Sequence, residues 1–70
     1  MNLYKGTQRG NLVVLHGDTV GEFTHDDVDC ALCEWEDENL TPEQYLVTWD
    51  WNISPVSGRV TVLAEIGEDN

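Results

Sequence analysis

Seventy residues make one domain, 1–70, that hides only about 60% of its unfolded surface on folding, so its net stability is small. The apolar share of 40%, with three Trp, two Tyr and one Phe, is that of a chain that folds around aromatic anchors. The net charge of -11 repels nucleic acid and anionic membrane and excludes both as direct partners. Lys5 and Arg9 precede only the short apolar run Leu12–Leu15, and two cysteines make no secreted disulfide framework. A soluble cytoplasmic protein with reduced thiols is the expectation.

In chain order, Leu3-Tyr4-Lys5 and Asn11 to His16 read as strands around a polar turn from Gly6 to Gly10. A second turn at Gly17-Asp18 leads to Val20-Gly21-Glu22-Phe23, which Gly21 weakens as a strand. The N-terminal third therefore predicts a three-stranded meander.

The middle favours a helix over about residues 25–36. Val28, Ala31, Leu32 and Trp35 fall at i, i+3, i+4 and i+7, a single stripe at 100° per residue. Thr24 suits the N-cap, with Asp27 three residues on as a variant capping box. Early aspartates suit the positive end of the helix dipole, while Glu36, Asp37 and Glu38 oppose its far end and predict fraying there. Read as a strand, the same residues mix apolar and charged groups on both faces. Thr41-Pro42-Glu43-Gln44 then predicts one helical turn.

The last third is a hairpin. Tyr45, Val47, Trp49 and Trp51 alternate with Leu46, Thr48 and Asp50, and Val60, Val62, Ala64 and Ile66 alternate with Arg59, Thr61, Leu63 and Glu65. These two sets should face each other in the core, joined by a loop from Asn52 to Gly58. The fold class is thus α+β: a small antiparallel sheet of four to five strands on one short acidic helix. The alternative is an all-β, SH3-like small barrel with residues 28–36 as a strand.

Charge carries the functional reading. From Gly10 through Gly58 no Lys or Arg occurs, whereas Lys5, Arg9 and Arg59 cancel Glu65, Glu68 and Asp69. The whole excess sits mid-chain. Carboxylates four apart on a helix lie about 6 Å apart along its axis. Phosphates on one DNA strand advance about 3.4 Å each. A belt made of Asp26, Asp27, Asp29, Glu34, Glu36, Asp37 and Glu38 could therefore enter a phosphate-binding groove, with Trp35 as an aromatic contact. The expected partner is a basic protein surface that normally handles nucleic acid. Small size, acidity and the lack of catalytic motifs are general features of phage-encoded inhibitors that occupy such sites. Solvated charge or adaptation to high salt gives the same composition without a partner.

Cys30-Ala31-Leu32-Cys33 is the other constellation. A C-x-x-C pair with His25 and His16 supplies four zinc ligands, which makes a small zinc-stabilised structural protein the competing expectation. The spacing lacks a second ligand knuckle, so no metal or other cofactor is assigned. Redox work needs a positive neighbourhood for the thiol, and here the neighbours are carboxylates. Asp27 and Asp29 alternate as in a calcium loop, but the required glycine is missing. No nucleophile motif or phosphate loop occurs, so the chain is read as non-enzymatic.

Overall fold

In the computed structural model, which describes residues 1–69, the elements are β1 (Leu3–Arg9), β2 (Leu12–Val20), α1 (His25–Asn39), β3 (Gln44–Ile53) and β4 (Arg59–Glu68). Asn70, the last residue of the expected domain, lies outside the described residues. The strands form one antiparallel sheet in the order β1-β2-β4-β3, and α1 covers one of its faces. The α+β expectation stands, with four strands. The sheet is open, with β1 and β3 as separate edges, so the SH3-like barrel does not form. Residues 28–36 are helix, because only helical spacing turns all their apolar groups to one side. No helix among the described residues is long and apolar enough to cross a membrane.

The core is the seam between α1 and the two central strands. Val13 and Leu15 of β2, with Val60, Val62, Ala64 and Ile66 of β4, meet Val28, Ala31, Leu32 and Trp35 of α1. Burying each large aliphatic side chain contributes roughly 1.5–3 kcal/mol. Leu3, Phe23, Leu40 and Leu46 close the ends and flanks of this seam.

The N-terminal half differs from the predicted meander. The turn is Gly10-Asn11, closing Arg9 against Leu12. Gly10 has φ 58° and Asn11 has no positive φ, the arrangement of a two-residue type II′ hairpin, which fits the twist of the flanking strands. β2 continues through Gly17-Asp18 to Val20, with an irregularity in its pairing with β4 between His16 and Val20, and among the described residues no third strand precedes α1. Asp18 is used as a clamp instead. Its carboxylate accepts from the Asn2 amide at 2.8 Å, and its own amide donates to the Asn2 carbonyl at 3.0 Å. The Asn2 N–H holds the Asp18 carboxyl below its ordinary value. A depressed carboxyl adds stability above its unfolded value and loses it as pH falls through the folded one.

The β3–β4 hairpin has the predicted β4 face and, on β3, the predicted inward Trp49 and Trp51, but not the predicted inward Tyr45 and Val47. Leu46 pairs with Ile66, yet Thr48 pairs with Glu65, so Val47 is a bulge. The extra residue reverses the alternation. Leu46, Trp49 and Trp51 turn toward α1, while Tyr45 and Val47 stay exposed on the other side. There the Tyr45 ring and Val47 lie over Gly67, where an added Cβ would come within 2.7 Å of the ring and 2.9 Å of the valine. The loop is Ser54–Gly58, shorter than expected, and Ser54 Oγ accepts from the amides of Val56 and Ser57. The one turn expected before β3 is present at Thr41–Gln44, closed by Gln44 N–H to Thr41 C=O at 3.0 Å, and the chain enters β3 directly from it.

Two substitutions probe this packing. Leu32→Ala empties a fully buried position and should cost about 2–5 kcal/mol, enough to unfold much of so small a domain at room temperature. Thr24→Ala removes only the helix cap and should cost about 1 kcal/mol. Urea unfolding followed by tryptophan fluorescence measures both.

Candidate functional site

The candidate site is the outward side of α1. Its helix begins with a reciprocal cap. The Asp27 amide donates to Thr24 Oγ1 at 3.3 Å, and the Thr24 amide donates to Asp27 Oδ2 at 2.9 Å. The far end does not stop at Glu36, where the charges alone suggest it weakens, but continues as helix to Asn39. Asn39 Nδ2 donates to the Trp35 carbonyl at 2.9 Å, and the Leu40 amide donates to the Glu36 carbonyl at 2.9 Å. Trp35 and Leu40 are packed into the core, so this last turn is held by burial against an unfavourable dipole term of about 0.3–1 kcal/mol.

Seven of the fourteen Asp and Glu residues lie on this one helix: Asp26, Asp27, Asp29, Glu34, Glu36, Asp37 and Glu38. All are exposed except half-buried Glu36. With the apolar stripe inward, 100° spacing puts Asp26 and Asp37 along the crest. Asp27, Glu34 and Glu38 run down the flank toward β1, and Asp29 and Glu36 down the flank toward β3. From Asp27 to Glu38 the row spans about 16 Å at 1.5 Å per residue. Glu22 lines the same recess as Asp27 and Glu34 and extends the row past the helix start. Of the seven, Asp27 is engaged in the cap; among the described residues no hydrogen bond holds the other six side chains.

Two of the three cations are placed elsewhere, and the third, Lys5, borders the recess that Glu34 and Glu38 line. Lys5 reaches the groove between β1 and α1, where its ammonium donates to Gln8 at 3.2 Å. Arg9 and Arg59 fall on the alternate positions of β1 and β4 that face away from the helix.

Trp35 corrects one expectation. It is only 7% exposed, as a member of the apolar stripe, and presents no contact surface. The zinc set is corrected as well. Cys30 and Cys33 are exposed on the crest of α1, but His16 lies on the opposite face of the sheet, with its ring against Gly6. His25 is occupied too: its ring stacks on Trp49 at 5.0 Å with a 12° interplanar angle, and its Nδ1 accepts from Trp51 Nε1 at 3.2 Å. An accepting Nδ1 puts the neutral ring's proton on Nε2. Among the described residues no three His, Cys, Asp or Glu side chains come together as a metal centre.

This His25–Trp49–Trp51 cluster was not legible from the sequence. The i, i+2 spacing of the tryptophans placed them on one face, but nothing local to His25 indicated that the helix start would land on that face. The cluster ties the first turn of α1 to the edge strand β3 and so fixes where the acidic crest points.

Comparison with protein families, with curated proteins and with solved structures finds no match to this chain.

The thiols report on the local field. Desolvation by neighbouring atoms pushes the Cys33 thiol above the ordinary cysteine value, and the charges of Asp29 and Glu36 push it further. Only the thiolate is nucleophilic. In a Cys30→Ser background, iodoacetamide should label Cys33 more slowly at pH 8 than it labels free cysteine. The rate should climb with pH into a more alkaline range. Adding salt, or replacing Asp29 and Glu36 by Asn and Gln, should speed it.

Proposed function

We propose that this chain is a non-enzymatic binding module whose acidic helix occupies a basic, nucleic-acid-handling surface of a partner protein. One observation carries the reading: the outward side of α1 bears seven carboxylates and no cation, on a scaffold capped at its start and anchored along its length. Along each flank successive carboxylates lie from about 6 Å (Glu34 to Glu38) to about 10 Å (Asp27 to Glu34) apart along the axis at 1.5 Å per residue, comparable with the Debye length of about 8 Å at physiological salt, so a groove sees overlapping fields. A span of about 16 Å covers several phosphate intervals of about 3.4 Å. Lys and Arg that hold a phosphate backbone could hold this row instead. The action is occlusion: while the helix is seated, nucleic acid is excluded.

Such binding is fast and falls steeply with salt, because charge complementarity acts mainly on encounter. Thiols stay reduced in the cytoplasmic setting that the cysteine usage suggests, and the mechanism asks nothing of them.

The test uses competition. Proteins of a cell extract that bind a heparin matrix are passed over the immobilised chain, and retained proteins are challenged with duplex DNA. The reading expects retention at low salt, loss at high salt and displacement by DNA. Reversing Glu34 and Glu36 to Lys changes the charge from -11 to -7 and should slow association at least tenfold, with the far-ultraviolet spectrum unchanged. Retention that DNA does not displace, or that survives the double reversal, would overturn the nucleic-acid-mimic reading.

A further inference from the structure

We propose that the face of the sheet turned away from α1 is covered by a second copy of this chain. The residues there are set by the ladders. Val13, Leu15, Val62 and Ala64 point to the helix, so their neighbours point away. Leu63 directly opposes Val14 at the middle of the β2–β4 ladder. Leu12 lies next along β2 and is 45% exposed, and Leu63 is 49% exposed. Tyr4, Tyr45 and Val47 extend the patch to both edge strands, each half or more exposed. The β3 bulge contributes to this, since it keeps Val47 on the outer side while Leu46 and Trp49 both turn in. An antiparallel sheet with one solvated face normally carries polar residues there. This one carries apolar side chains on all four strands.

Charge identifies the occupant. At -11, two copies repel each other through almost any pair of surfaces. The outer sheet face is the exception. Its charged positions along the ladders are Arg9, Arg59, Asp50 and Glu65, which cancel. It also carries two of the three basic residues in the chain. The distribution is self-complementary. A two-fold axis along the strands lays β1 of one copy over β3 of the other and brings Arg9 near Asp50. A two-fold axis across the strands brings the Arg59 end of β4 over the Glu65 end. The two longer extents of the molecule, 39 and 22 Å, bound the face at on the order of 800 Å², the area each partner gives to a standard interface. Face-to-face packing of two such sheets buries the apolar strip and leaves both acidic helices on opposite outer surfaces.

This assembly responds to salt in the sense opposite to binding through the helix. Salt screens the repulsion between copies and leaves apolar burial intact. Sedimentation equilibrium of the purified full chain in dilute buffer and in molar KCl should show dimer in KCl and a shift toward monomer in dilute buffer. Leu63→Lys should abolish the dimer in both, although it lowers the net negative charge and so weakens long-range repulsion. Leu12→Lys, at a separate exposed position, should do the same and carries the test if the first variant fails to fold by circular dichroism. Reversing Glu34 and Glu36 to Lys should preserve or strengthen the dimer. A monomer at every salt concentration overturns the inference. So does a dimer that survives both lysine variants, or one that the helix reversal destroys.

Discussion

The burial of one stripe of α1 against β2 and β4 governs the rest of this molecule. Val28, Ala31, Leu32 and Trp35 are the buried residues of the helix, and all four meet the sheet. Once they are inward, helical geometry allows the carboxylates nowhere but outward. The acidic surface is thus a by-product of core packing as much as a feature of composition. Among the described residues seven hydrophobic side chains are almost wholly enclosed, and all but Leu32 and Val28 come from the two central strands. A protein of this size has little further apolar contact to lose.

The order β1-β2-β4-β3 makes the same division for the sheet. The two hairpins donate their inner strands to the centre and leave their outer strands as edges. Both edges are interrupted, β1 between Lys5 and Thr7 and β3 between Leu46 and Thr48. Irregular edges resist unwanted strand addition. The consequence is a two-layer body with unlike surfaces. One is a helical ridge of negative charge. The other is a sheet face in which apolar groups and balanced charge alternate. Binding through the ridge and self-association through the sheet face would respond to ionic strength in opposite directions, so solution behaviour can assign an interaction to one layer or the other.

Local pattern revealed what depends on local pattern. The β4 alternation, the helix stripe and its N-cap were all readable because each is set within a few residues. The failures share a cause. The parity of β3 slipped at Val47, since a bulge is defined by what lies opposite, here Glu65 and Ile66, and not by the bulged strand alone. The β1–β2 turn was placed too early because Gly6 resembles a turn residue, while its actual setting is a strand position beside His16. The helix outlasted its predicted end because Trp35 and Leu40 are tethered to the core, a tertiary effect that exceeds the dipole penalty. At the site, the seven carboxylates were legible as a group. Trp35 was misassigned as a contact even though its place in the stripe already marked it as core.

The central claim is that α1 is a rigid, core-anchored scaffold for its acidic side and does not fray under its own charge. Amide hydrogen exchange at neutral pH in low-salt buffer tests it residue by residue. The amides from Ala31 to Asn39 should be protected to nearly the same free energy as the central strands β2 and β4. If that stretch instead exchanges as open chain while the sheet stays protected, self-repulsion defeats the stripe, and the acidic row has no fixed geometry to offer a partner.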